Sequence, residues 1–271
     1  MIVDSHLHAV SPDTSRYPLQ QVDLPGNSWV KTAPASAEDL LAKMDAAGVS
    51  KGVLVQPVGA YGTDNGYVAD AGAAHPDRFA TVCVIDMTAA DRLEQLRYWT
   101  QGRGIGGVRL FSVPTPQVSW LDDPATFNVW EACQEWGAKV SVCLLPEELP
   151  RLGKMLARFP DTAVVLDHCG FADFSDGPPW NAARPLWELA KYQNLYLKVT
   201  TNVLDAAGAL PATLVHHFGA NRLMWGSDYP QIHDRTYSDL VTQANTTAEV
   251  LTPEEQMHFL ADTAHDFWAS Y

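Results

Sequence analysis

Residues 2–8 read IVDSHLH, a short apolar run that ends in two histidines one residue apart. Alternation along an extended strand sends His6 and His8 to one side, together with Asp4. Seven more runs of this kind follow: GVLVQPV (52–58), FATVCVI (79–85), GIGGVRLF (104–111), KVSVCLL (139–145), TAVVLDH (162–168), NLYLKVT (194–200) and RLMWGSD (222–228). Each is rich in Val, Ile or Leu and is followed by a polar or Gly/Pro-bearing segment, the pattern of buried parallel strands joined by outer crossovers.

Amphipathic helices fit between the runs. In the first, Ser36 and Asp39 have capping-box spacing and Gly48 supplies a stop. Others are expected at 91–100, 124–136, 147–159, 182–192 and 210–218. A terminal helix should start at Thr252, with Pro253 in its first turn and Glu255 three residues after the cap, and close the fold. Eight strands alternating with helices predict an α/β protein, a TIM-type (β/α)8 barrel with a closing C-terminal helix, built as a single domain over residues 1–271. A doubly wound dinucleotide-binding sheet is the competitor, but GRGIGG (102–107) precedes a strand and opens no phosphate-binding helix. The long pieces 9–35 and 169–181 are expected at the C-terminal ends of the strands, where substrate-enclosing loops belong.

Composition narrows the function. Eighteen Lys and Arg against 32 Asp and Glu leave a formal charge of -14, which repels a phosphate backbone and argues against nucleic acid. A local cationic pocket for an anionic small molecule remains compatible with that balance. No stretch approaches a membrane span, and the start MIVDSHLHAV carries no basic leader followed by a long apolar segment. Cys83, Cys133, Cys143 and Cys169 lack CxxC spacing, so a reduced, cytoplasmic protein is expected, as a monomer or a homo-oligomer.

Run six ends in Asp167 and His168 and run eight in Asp228. In a barrel these endings converge with His6 and His8, giving three imidazoles and a carboxylate suited to one divalent ion, zinc above others, with a position left for water. The alternative makes His168 a hydrogen-bonded core residue and Asp228 a loop or cap residue. The chemistry has two versions: an ion polarises a carbonyl or water while Asp228 takes a proton, or the histidines polarise the substrate with no metal and Asp228 activates water.

Arg109 and Lys198 interrupt apolar strands, so each needs an anionic partner: a substrate carboxylate, or Asp4 or Asp167 within the protein. Gln56, Thr200 and His233 are further candidates for hydrogen bonds to substrate. Trp120, Phe171, Trp180 and Tyr229 are candidates for the entrance or for packing. Cys143 has no dedicated base and reads as buried packing rather than a nucleophile.

Taken in order, VDSHLHAVSPDTSRYP, GVRLF, VVLDHCG, LYLKVT and LMWGSDYP resemble the strands of the amidohydrolase superfamily, in its branch of TIM-barrel lactonases and decarboxylases, over nearly the whole chain. Within that branch the chain is similar to 2-pyrone-4,6-dicarboxylate lactonases and sugar lactonases. The resemblance implies metal-binding or substrate-polarising roles for His6, His8 and His168, water activation or metal binding for Asp228, and carboxylate recognition by Arg109. Some members work without a metal, so the resemblance leaves that choice open. No lysine ends strands four or five to bridge two metals, which disfavours a binuclear centre. LKVT lacks a strand-seven histidine, which weakens a decarboxylase reading, although His233 on a loop can substitute. Three functions are carried forward: a lactone hydrolase, a nonoxidative decarboxylase of an aromatic or unsaturated acid, and a noncatalytic ligand-binding barrel.

Overall fold

The computed structural model describes residues 1–269 except 21, 23, 25, 114–119 and 207–208, so the last two residues of the expected terminal helix lie outside it. All eight expected strands form: β1 (Val3–Leu7), β2 (Lys51–Val55), β3 (Phe79–Val84), β4 (Gly107–Phe111), β5 (Lys139–Cys143), β6 (Val164–Leu166), β7 (Leu195–Thr200) and β8 (Leu223–Gly226). They pair in parallel in sequence order. Closure comes just past the last strand, where the Asp228 N–H donates to the His6 carbonyl and the His8 N–H to the Tyr229 carbonyl, both at 2.9 Å. The result is a TIM barrel, and closure itself places the end of β8 against the two histidines.

The strands are almost wholly buried, as their Val- and Leu-rich runs require. Val3, Val53, Val55, Val82, Val165 and Met224 form an apolar cluster with Ala261, Ala264, Phe267 and Trp268 of the terminal segment. That segment runs through Pro253–Met257, His258–Asp262 and Thr263–Trp268 and caps the strands' N-terminal ends. Gly107 makes room for it: a Cβ there would lie 2.8 Å from Cζ3 of Trp268. The capping boxes at Ser36/Asp39 and Thr252/Glu255 both form, and Gly48 takes φ 73° at its helix end, the left-handed stop that glycine adopts without strain.

Two local expectations are corrected. Residues 182–192 do not make one helix; Asn181–Ala183 and Arg184–Trp187 are short turns, and the chain then tightens. Past Trp187 the N–H groups of Leu189, Ala190 and Tyr192 donate three residues back, to the carbonyls of Leu186, Trp187 and Leu189, and Arg222 donates to the carbonyls of Ala190 and Tyr192 at 3.1 and 2.7 Å. In β1 the register slips between Asp4 and Leu7, so simple alternation fails there. Asp4 does not join the histidine pair: it accepts from the Tyr237 hydroxyl at 3.0 Å and from the backbone N–H groups of His6 and Ser227 at 3.0 and 2.9 Å.

Candidate active site

The strand endings converge as the barrel predicts. His6 and His8 leave β1, His168 follows β6 and Asp228 follows β8, and all four are buried. Nε2 of His8 lies 3.3 Å and Nε2 of His6 3.6 Å from Oδ1 of Asp228. His168 packs its ring 4.9 Å from that of His6, and its Nδ1 is 2.9 Å from the Thr200 hydroxyl. Backbone strain helps to aim these groups. Asp228 has φ 60°, and His168, Cys169, Gly170 and Phe171 run in succession at φ 50–64°, a left-handed path that costs a non-glycine residue about 1–2 kcal/mol.

Beside this cluster sits a charged trio. Asp167 accepts from Arg109 Nε at 2.7 Å, from the Ser141 hydroxyl at 2.8 Å and from Lys198 Nζ at 3.1 Å. Burial pushes the Asp167 carboxyl up, but the Lys198 and Arg109 cations outweigh it and hold the group below the usual carboxylate range. Burial and then the Lys198 charge keep His6 well below the ordinary imidazole range, so its ring is neutral. Burial also lowers Lys198, against the pull of Asp167.

Above the cluster opens a cavity of about 170 Å³, whose walls include His8, Trp29, Arg109, Phe111, His168 and Phe171. Residues 24, 26, 27 and 29 of the first long loop and residue 171 of the later one reach it, as expected of loops at the C-terminal ends. His6, Asp228 and Lys198 are not among its lining residues; Asp228 meets it through His8. Of the aromatic candidates for the entrance, Phe171 lines the cavity, whereas Trp180 is buried away from it.

Gln56 is committed elsewhere, donating to the carbonyls of Asp64 and Gly62 at 2.7 and 3.3 Å. His233 is exposed and outside the cavity, with Nδ1 3.0 Å from the Gln231 carbonyl. Cys143 lines the cavity, but burial pushes its thiol up to about 12. Two contributors escaped sequence reading. Ser141, a polar residue inside KVSVC, was a visible signal; Trp29, which stacks on the His8 ring at 5.7 Å, had none, because it opens a one-turn helix (Trp29–Thr32) inside the stretch 9–35 that reads as loop.

The donor set suits a divalent ion. Among the described residues, Oδ1 and Oδ2 of Asp228 and Nε2 of His6 are buried without a hydrogen-bond partner, and the ligand atoms of His6, His8 and Asp228 lie within 4.8 Å of one another. Tetrahedral bonds of about 2.0–2.1 Å set neighbouring ligand atoms about 3.3–3.4 Å apart, close to the separations from Asp228. His8 Nδ1 is 2.8 Å from the Val55 carbonyl, which can only accept, so Nδ1 holds a proton and Nε2 is the nitrogen left to ligate.

The comparisons give this barrel its class, that of a hydrolase. The amidohydrolase family model matches residues 3–269, and the chain belongs to that family. It is 25% identical over 241 residues to the L-fucono-1,5-lactonase of Burkholderia ambifaria, covering 84% of this chain and 80% of that one. It is 27% identical over 235 residues to the 4-sulfomuconolactone hydrolase of Rhizobium radiobacter, covering 84% and 75%. It also superimposes with TM-score 0.82 and 25% identity on a crystal structure from Pseudomonas putida provisionally assigned as a 2-pyrone-4,6-dicarboxylic acid hydrolase, over 99% and 97% of the chains. Among the described residues no helix is long and apolar enough to cross a membrane.

Proposed function

We propose that the protein hydrolyses the ring ester of a small carboxylated or sugar-derived lactone, with residues 1–271 working as one catalytic unit. The observation that carries this reading is the Asp228 carboxylate, buried beside His6 and His8 with neither oxygen hydrogen-bonded. Such a group has the capacity to take a proton. In the proposed reaction a water oxygen attacks the ring carbonyl and Asp228 accepts the water's proton. The ring carbon–oxygen bond then breaks, and the proton passes from Asp228 to the departing oxygen, leaving an open hydroxy acid.

His6 and His168 polarise the carbonyl in this reading, and Arg109 offers its guanidinium to a substrate carboxylate from the cavity wall. A zinc ion, if bound, would be held by His6, His8 and Asp228 with His168 beside them, and it would supply Lewis-acid polarisation and a more acidic water. The sulfonated and sugar lactones named for the two relatives support the substrate class. The test is turnover of a panel of carboxylated, sulfonated and sugar-derived lactones by the purified protein, with and without zinc or manganese. Ring opening of at least one supports the proposal. No turnover of any, or carbon dioxide release from an aromatic acid without water addition, would remove it.

A further inference from the structure

The two histidines of the HxH pair are held from behind in opposite ways. Behind His8 stands the Val55 carbonyl, an acceptor, 2.8 Å from Nδ1. Behind His6 stands the Lys198 ammonium, with Nζ 3.2 Å from Nδ1. Lys198, His6 and Asp167 have no solvent exposure, and Asp167, 3.1 Å from Nζ, supplies the counter-charge. An ammonium carries three donors and no acceptor. Nδ1 of His6 must therefore receive the hydrogen bond, and a neutral imidazole that accepts at Nδ1 carries its proton at Nε2.

We infer that Lys198 is a positioning residue that locks His6 in its Nε2–H tautomer, so that His6 faces the site as a hydrogen-bond donor, whereas the Val55 carbonyl holds the proton of His8 on Nδ1. A histidine that ligates a metal through Nε2 usually donates Nδ1–H to a carboxylate, a carbonyl or water. Here a cation occupies that place. The nearest carboxylate oxygen, Oδ1 of Asp167, is 3.7 Å from Nδ1, too far for a hydrogen bond, and is already engaged by Lys198 and Ser141. His6 can join a coordination sphere only after the Lys198 contact is broken and Nδ1 has gained a proton. The chain thus opposes its own three-donor cluster, and Lys198 sets how strongly the site discriminates against divalent ions. The donor tautomer also suits the role of polarising an oxygen. None of this depends on which ester the protein hydrolyses.

Two measurements test the inference, and neither uses substrate, so failure of the lactone panel leaves them untouched. In chelator-treated wild-type protein labelled with 15N-histidine, long-range 1H–15N correlations report which ring nitrogen carries the proton, with His6→Gln identifying the signals. A protonated Nε2 and a bare Nδ1 are expected; a proton on Nδ1 overturns the assignment. Lys198→Met keeps the apolar stem, removes the donor and frees Oδ1 of Asp167 to accept from Nδ1. Zinc calorimetry should then show binding at least about tenfold tighter than in the wild type, the size typical of changes in a ligand's outer partner. Equal or weaker binding by a folded Lys198→Met protein overturns the inference, and if that variant does not fold, the wild-type tautomer decides alone.

Discussion

Asp167 holds Arg109 through a single donor: Nε meets Oδ2 at 2.7 Å, and the bond leaves the terminal nitrogens of a cavity-lining guanidinium outside it. The same guanidinium is supported on one face by Phe111, whose ring centroid lies 4.9 Å from the guanidinium carbon. A cation fixed at one edge and supported on one face is pre-organised to present a two-pronged surface to a carboxylate.

Replacing Arg109 with Met should therefore raise KM for carboxylated lactones by about 10- to 100-fold, the loss of a charge-assisted hydrogen bond worth about 1.5–3 kcal/mol. Neutral lactones should be nearly unaffected. Steady-state kinetics on a matched acidic and neutral pair checks this, and equal losses on both would assign Arg109 a structural role.

Asp167 is the counter-charge for two buried cations at once. Asp167→Asn strands Arg109 and Lys198 without compensation and should destabilise the fold by about 3–5 kcal/mol. Urea unfolding followed by circular dichroism reads this directly, and an unchanged midpoint would mean that the trio is not stabilised as its geometry implies.

Among the described residues the Asp228 side chain has no hydrogen-bond partner, so its loss costs the fold little. Asp228→Asn should leave the unfolding midpoint within a few degrees of wild type while lowering kcat by about 10²- to 10⁴-fold, the range for losing general acid–base help. Near-normal turnover would take Asp228 out of the chemical step.

Cys143 lies on the cavity wall, yet burial pushes its thiol up to about 12, so almost none is thiolate at neutral pH. Cys143→Ala should retain kcat within a few-fold. Iodoacetamide at neutral pH should inactivate the wild type slowly if at all; rapid inactivation that Cys143→Ala abolishes would revive the nucleophile reading.

Most of the fold was legible because its signals are short-ranged. Val- and Leu-rich runs, the caps at Ser36 and Thr252 and the stop at Gly48 act within a few residues, and each formed where it was read. Residues 182–192 have good helix-forming composition, yet past Trp187 the backbone tightens to bonds three residues back, and Arg222, from the turn before β8, holds the carbonyls of Ala190 and Tyr192 in that form. Asp4 was placed with the histidines by simple alternation, and the slip in β1 gave it to Tyr237 instead.

The site divides in the same way. That His6, His8, His168 and Asp228 stand at strand ends, and that Arg109 and Lys198 are charges inside apolar runs, is written in the order of residues. What each cation pairs with is not. Lys198 meets His6 across 192 positions of chain, and Asp167 lies between Lys198 and Arg109 only because the barrel closes with a particular stagger. Hydrophobic periodicity is a property of neighbours along the chain and specifies the strands. Proton positions and ion pairs depend on separations of a few tenths of an ångström between distant segments, which only the closed tertiary structure determines.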